Sequence, residues 1–329
     1  MDYVRWGILS VSKHYRLRVH EQVKDSAVAR FIGIASRDRG KAATEAAQLG
    51  FQRSYGSYEA LLADPEIDAV YIPLPNHLHA SWVKAAADAG KHILCEKPFA
   101  MDATEAEEAI RYARSKGVRV MEALMYRFHP QWVRAKQIVS SGEIGKVVFI
   151  QVQFSFNNKD PGNIRNKRET GGGAIMDIGC YAVSSSRFIM GCEPRRVLSL
   201  VSRDQELGID MLSSGLLDFE GGQAQFSVST QAFAAQRVEV VGASGKLSIQ
   251  IPFNTYPDVP AELSVTTSIG TRTVQCGPAG QYRLMFDAFS ESLLADEPEP
   301  TPAEDAIATM KVLDALFRSE ASGSWEVPC

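Results

Sequence analysis

No apolar run approaches the ~18 residues that a membrane span requires, and the opening Met1-Asp2-Tyr3-Val4-Arg5-Trp6 lacks the basic-then-apolar pattern of a secretory signal. Both absences speak against a membrane protein, and the expected compartment is cytoplasmic. Cysteine is scarce: the five residues Cys95, Cys180, Cys192, Cys276 and Cys329 are odd in number and scattered, without the close pairs of a zinc site or a disulfide framework. They read as reduced thiols, mostly core filler, and no metal site is expected. Basic excess is also missing, since 35 Lys and Arg stand against 39 Asp and Glu. Nothing here would hold a phosphate backbone, so nucleic acid is excluded as a partner. Internal repeats and low-complexity stretches are absent too.

What is present is the composition of an ordinary globular protein, 45% hydrophobic and 22% charged, over 329 residues. That length exceeds one small core and predicts two domains. In the first third, short apolar runs (Arg5–Leu9, Phe31–Ala35, Ala69–Pro73, His92–Cys95, Val118–Met121) alternate with helix-forming stretches such as Lys41–Ala47, Ala80–Ala89 and Thr104–Ser115. Near-continuous apolar strands separated by helices predict a doubly wound parallel α/β domain over residues 1–125. Beyond about residue 145 the runs alternate at period two, beginning with Val147–Phe156 and continuing through Arg196–Val201, Gly215–Phe219, Ala224–Ser229, Val238–Val241 and Leu247–Ile251. Breaks at Glu220-Gly221-Gly222 and Gly242-Ala243-Ser244-Gly245 suit hairpins. Residues 126–329 are therefore expected to form a second, α+β domain around a mainly antiparallel sheet. Its helices are placed near Ala174–Met190, Tyr282–Leu294 and Ala303–Phe317.

A strand that opens a helix at the start of such a domain often cradles a pyrophosphate on glycines and a helix N-terminus. Here Ser10-Val11-Ser12-Lys13-His14-Tyr15 stands where G-x-G-x-x-G would fall, which also fits a plain strand–turn–helix. At the end of the second strand, an acidic residue would favour NAD. Ser36 and Arg37, with Lys41 beyond them, instead offer a hydroxyl and a flat guanidinium to a 2′-phosphate, which favours NADP(H) over NAD(H); a solvated charged turn is the alternative. Pro73-Leu74-Pro75-Asn76-His77-Leu78-His79 is a stiffened loop after a strand, and its histidines read as capping or packing residues. Glu96-Lys97-Pro98 puts a cation directly after the strand His92–Cys95. In Gly171-Gly172-Gly173-Ala174-Ile175-Met176-Asp177-Ile178-Gly179-Cys180-Tyr181, the residues Asp177 and Tyr181 lie four apart and share a helix face. Tyrosine titrates near ~10, and a neighbouring ammonium lowers that by roughly 1–3 units, enough for general acid/base work near neutrality. Taken singly, each of these residues also has an ordinary structural reading.

Together these motifs, with Trp6-Gly7-Ile8-Leu9-Ser10, Pro75-Asn76-x-x-His79 and Met121–Pro130, resemble the glucose-fructose oxidoreductase / inositol dehydrogenase (Gfo/Idh/MocA) family over nearly the whole chain. The branch it looks most like holds dimeric dihydrodiol dehydrogenase, NADP-dependent D-xylose 1-dehydrogenase and glucose-fructose oxidoreductase. Asp177-x-Gly179-x-Tyr181 discriminates, because the inositol dehydrogenase branch is expected to have histidine at the place of Tyr181. The resemblance implies a Rossmann domain followed by an open-faced sheet domain, through which subunits pair as a homodimer or higher homo-oligomer. It implies Tyr181 as general acid/base, Lys97 as the cation beside it and Asp177 as orienting group. Ser10, Ser12, Lys13, Ser36, Arg37, Lys41, Pro73, Leu74, Asn76, His79, Glu96 and Lys97 are expected around the cofactor, and Arg127, His129 and Arg165 around the substrate, with Asp177 and Tyr181. The implied activity is NADP(H)-dependent interconversion of a sugar or cyclic-polyol hydroxyl with a carbonyl. Reduction of a keto-sugar (1,5-anhydrofructose or a keto-deoxysugar) and oxidation of a trans-dihydrodiol are alternatives, and a non-catalytic NADP-binding sensor or scaffold is the reading of another class. One departure stands out: His14 and Tyr15 replace an apolar and a small residue, so the phosphate loop reads as crowded. Tyr15 then reshapes the pyrophosphate contact, swings outward or closes the site, and retained binding in an altered geometry is the expectation.

Overall fold

A computed structural model describes residues 2–329. The chain forms two compact units, one comprising the stretch up to Met125 together with Gly280–Ile307, the other Tyr126–Ala279 together with Ala308–Cys329. No helix among the described residues is long and apolar enough to cross a membrane.

In the first unit, strands β1 (Val4–Leu9), β2 (Ala29–Ala35), β3 (Arg53–Tyr55), β4 (Ala69–Ile72), β5 (His92–Cys95) and β6 (Val120–Glu122) make a parallel sheet in the order β3-β2-β1-β4-β5-β6. Every residue of β4 is buried, as expected for a strand covered on both faces. The strand order reverses between β1 and β4, which makes the carboxyl ends of these two strands the topological switch point where ligands bind in such sheets.

The segment Gly280–Ile307, expected with the second domain, belongs instead to this first unit. The reason is aromatic packing. On the helix Gln281–Leu294, the Phe286 ring sits 4.9 Å from Trp6, 5.0 Å from Phe31 and 5.2 Å from Tyr71, centroid to centroid. Trp6 also donates its indole N–H to Ser290 Oγ at 3.0 Å, so the strand's large polar-tipped ring is satisfied only when this late helix is present.

Tyr15 corrects the expectation of a crowded phosphate loop, because its side chain is 1% exposed. Its ring packs against Phe31, Phe51, Tyr71 and His20 at centroid distances between 5.8 and 6.2 Å. A glycine at this place lets helix and strand approach closely. Here the helix opens instead into a π-helical turn over Tyr15–Val19, in which the amide of His20 returns to the carbonyl of Tyr15, and the ring fills the space beneath it.

The second unit is built on strands β7 (Val147–Asn157), β8 (Arg196–Arg203), β9 (Asp210–Phe219), β10 (Gly222–Ser229), β11 (Gln231–Gly242), β12 (Gly245–Ile249), β13 (Ala261–Thr267) and β14 (Gly270–Cys276). Their order is β14-β13-β12-β11-β7-β10-β9-β8, with every pairing antiparallel except β7 with β10. Glu220-Gly221 closes the β9–β10 hairpin, Gly221 having φ +82°. The helix Cys180–Met190 packs on β7 and β10, and Ile150, Val152 and Phe154 are buried on that side. The other face is open: Gln151, Gln153, Leu200, Leu216, Gln225 and Ser227 line a shallow depression across it.

Candidate active site

In the first unit, the candidate residues lie at the carboxyl edge of the parallel sheet. After β1, the Ser12 hydroxyl accepts from the Tyr15 amide at 3.0 Å and starts the helix, with Ser10 half-buried and Lys13 exposed. After β2, the Ser36 hydroxyl accepts from the Asp38 amide at 3.1 Å, and Asp38 turns its carboxylate away to cap the helix Arg39–Leu49 through the Lys41 amide at 3.0 Å. The acidic side chain nearest the strand end is thus occupied by the helix terminus, while Arg37 and the Lys41 side chain are exposed.

Three strand ends converge at the switch point. Glu96, directly after β5, is 8% exposed and accepts a hydrogen bond from the Tyr71 hydroxyl of β4, while His14 Nε2 from the first helix lies 3.5 Å from its Oε1. The backbone amide of Lys97 reaches Glu96 Oε2 at 3.3 Å. Burial acts to raise the Glu96 pKa, but hydrogen bonding and charge from His14, the Tyr71 hydroxyl and the charge of Lys97 outweigh it and hold the carboxyl down at about 2. A fixed carboxylate therefore stands beside the half-buried Lys97. His14 Nε2 also lies 3.3 Å from the Tyr282 hydroxyl.

His79 is fully buried, with Nδ1 2.9 Å from the Pro98 carbonyl and Nε2 2.8 Å from the Leu74 carbonyl. Burial lowers its pKa, against the pull of the two carbonyls. It ties the loop after β4 to the cis Lys97–Pro98 peptide, so it holds the shape of this edge rather than presenting a surface to a ligand. Pro73 and Leu74 are buried in the same loop, and Asn76 is half-buried at its outer end.

In the second unit, the candidate residues are centred on the segment that follows Gly171-Gly172-Gly173. Ile175–Gly179 is again a π-helical turn, continued by the α-helix Cys180–Met190. Such widened turns are frequent at functional sites, and this chain has one in each half. Asp177 accepts from Arg165 Nε at 3.0 Å, which joins the loop Asp160–Asn166 to the turn. Tyr181 is 6% exposed, its ring bordered by Phe253, Phe154 and Tyr126 at 5.2, 5.8 and 6.0 Å between centroids. Apolar walls of this kind leave the phenol little bulk water to compete with.

The Rossmann-fold model of the oxidoreductase family (NAD-binding) matches residues 5–124, and the model of the GFO/IDH/MocA C-terminal domain matches residues 132–248. An uncharacterized oxidoreductase of Rhizobium meliloti is 42% identical over 99% of both chains. The chain belongs to the Gfo/Idh/MocA oxidoreductase family. It is 41% identical to a D-xylose 1-dehydrogenase (NADP(+)) of Haloferax volcanii over 88% of this chain and 90% of the relative. Among solved structures it is similar to a 3-ketoreductase of Actinomadura kijaniata in complex with NADP and TDP-benzene, with TM-score 0.91, 26% identity, and 97% and 98% of the two chains covered. Relatives in the family carry oxidoreductase names, among them dehydrogenases and reductases of sugars and diols, and this chain is an oxidoreductase with a nucleotide-binding Rossmann domain.

Two residues expected near substrate in this family fold have other engagements. Arg127 donates from Nη2 to Ser184 Oγ at 2.8 Å, one helical turn past Tyr181, and its guanidinium lies 5.4 Å from the Phe188 ring centre. His129 is fully buried and accepts from the Gln131 amide through Nδ1 at 3.2 Å, capping the helix Pro130–Ser140. Burial pushes its pKa down to about 4. His129 thus presents no surface to a substrate. Conversely, Tyr71, His14 and Tyr282 were not singled out for the Glu96 cluster, since only the strand order and the returning helix bring them there.

Proposed function

We propose that the protein is an NADP(H)-dependent oxidoreductase that interconverts a sugar or cyclic-polyol hydroxyl with a carbonyl, with a D-xylose- or glucose-type aldose as substrate. The likeness to an NADP(+)-dependent D-xylose 1-dehydrogenase over nearly the whole chain carries this reading, because that likeness spans Lys97, Asp177 and Tyr181. When bound, NADP(H) supplies or accepts the hydride. Ser36, Arg37 and Lys41 hold the 2′-phosphate, and the turn Ser10–Lys13 with the helix start after it meets the pyrophosphate. Tyr181 takes the proton of the substrate hydroxyl during oxidation and returns it during reduction. Lys97 stabilises the phenolate, and the backbone amide of that lysine is held by the Glu96 carboxylate. Asp177, braced by Arg165, orients the reacting hydroxyl. The setting is the cytoplasm, where the free cysteines stay reduced.

A keto-sugar reductase is a second reading, favoured by the likeness to the Actinomadura 3-ketoreductase and by 28% identity with a dTDP-3,4-didehydro-2,6-dideoxy-α-D-glucose 3-reductase. We propose further that two copies pair through the open face of the second unit's sheet.

The test is turnover of purified protein with NADP+ against a panel of aldoses, polyols and trans-diols, and with NADPH against keto-sugars. Tyr181→Phe is expected to lower turnover by roughly a hundredfold or more while NADPH affinity stays within about twofold. A fully active Tyr181→Phe enzyme would remove the assigned role. Cofactor binding without turnover of any member would favour the non-catalytic sensor.

A further inference from the structure

We infer that Asp210 is a positioning residue, a buried carboxylate that fixes the turn bearing Asp177 and leading into the helix that carries Tyr181. The inference rests on the acid/base role proposed for Tyr181. Asp210 opens β9 and is 2% exposed. Its Oδ2 accepts from the Ile175 amide at 2.6 Å and from Ser213 Oγ at 3.1 Å. The Ile175 amide is among the donors at a helix start that have no partner within the helix, and a carboxylate is the strongest acceptor such a donor can meet. The same approach explains a glycine: Gly173 has φ +115°, and a Cβ there would lie 1.9 Å from Asp210 Oδ1. Carboxylate, glycine and helix start are therefore built around one another.

Among the described residues no cation is in direct ion-pair contact with Asp210, although the charge of Arg203 acts on it. Arg203, opposite Asp210 in the β8–β9 register, binds Glu320 through Nε at 2.8 Å, and on the turn itself Asp177 binds Arg165. β7 and β10, which also pack against the turn, carry no ionisable side chain. Burial raises the Asp210 carboxyl to about 6, against the opposing effects of the Ile175 amide, the Ser213 hydroxyl and Arg203. With the folded value above the unfolded one, the favourable contribution to stability is complete below the unfolded pKa and is lost as pH rises through about 6. A carboxylate that costs stability at neutral pH and grips the catalytic turn is one retained for position.

Asp210→Asn, Asp210→Ala and Tyr181→Phe are compared in the full chain, with D-xylose and NADP+ as the assay pair and NADPH fluorescence as the binding probe. In the unmodified protein, kcat is expected to fall as pH drops through about 6. Asp210→Asn loses that inflection and turns over at about the low-pH level of the unmodified protein, because its neutral amide oxygen accepts from Ile175 more weakly than a carboxylate, yet it retains more turnover than Asp210→Ala, which has no acceptor. Asp210→Ala lowers kcat about tenfold or more with the KM for NADP+ within about twofold. Hydrogen exchange of the peptide containing residues 174–181 is expected to quicken at least about tenfold in Asp210→Ala and to stay unchanged in Tyr181→Phe. An Asp210→Asn enzyme that keeps the inflection, or exchange unaltered by either Asp210 variant, would overturn the inference. If Asp210→Ala does not fold, Asp210→Asn decides. If the unmodified protein turns over nothing, the functional reading fails by itself and the exchange measurement still judges Asp210.

Discussion

Tyr15 occupies the place of the third glycine in a dinucleotide fingerprint, yet its ring belongs to the core. Burial also raises its pKa well above the ordinary tyrosine value, so it is a neutral packing group. Tyr15→Phe should leave NADPH affinity within about twofold, whereas Tyr15→Ala should cost roughly 3–5 kcal/mol in urea denaturation. His129 gives a pH prediction. Its folded pKa lies below the unfolded value, so its contribution is present above about 6.5 and is lost as pH falls toward about 4. The full effect is about 3 kcal/mol at roughly 1.4 kcal/mol per unit. His129→Asn, which keeps a capping acceptor, should flatten the dependence of Tm on pH between those limits; an unchanged slope would show that another group sets it. Lys97, Asp177 and Tyr181 were legible as residues because each sits in a short local motif. The Glu96 cluster was not, because His14, Tyr71 and Tyr282 come from three separate elements and meet only through the sheet order.

At the scale of elements, strands buried on both faces could be read directly, as in Ala69–Ile72 and His92–Cys95, since an apolar run bounded by helical patterns has few other fates. β3 was missed because three residues, none of them buried, are too few to carry a periodicity. β13 and β14 were missed because they form the outer rim of the second sheet, and β14 is exposed along most of its length. The turn from Gly171 to Gly179 was legible as a glycine-led helix start, while its π-helical geometry and its acceptor on a distant strand were not. Gly173→Ala puts a methyl group onto the Asp210 carboxylate in a backbone conformation that alanine avoids. The expected result is a lower Tm and a loss of turnover larger than that of Asp210→Asn; an active, stable Gly173→Ala protein would show that the turn tolerates displacement of the carboxylate.

At the scale of the whole molecule, the sequence changes texture from strand–helix alternation to period-two strands beyond about residue 145, while the two compact units divide after Met125. The return of Gly280–Ile307 to the first unit was not, because a helix's apolar stripe does not say which sheet it covers. Leu200 and Leu216 on the open sheet face are 76% and 39% exposed. If two copies pair there, Leu216→Lys should shift sedimentation from dimer toward monomer at micromolar concentration without lowering NADPH affinity; a monomeric unmodified protein would contradict the pairing. The central claim is that the carboxyl edge of the first sheet binds NADP(H) and selects it at Ser36 and Arg37. Fluorescence titration of the purified protein with NADPH and with NADH tests it most directly. NADPH should bind at least about tenfold more tightly, and Arg37→Ala should erase most of the difference. Equal or tighter binding of NADH, or binding of neither, would contradict the account.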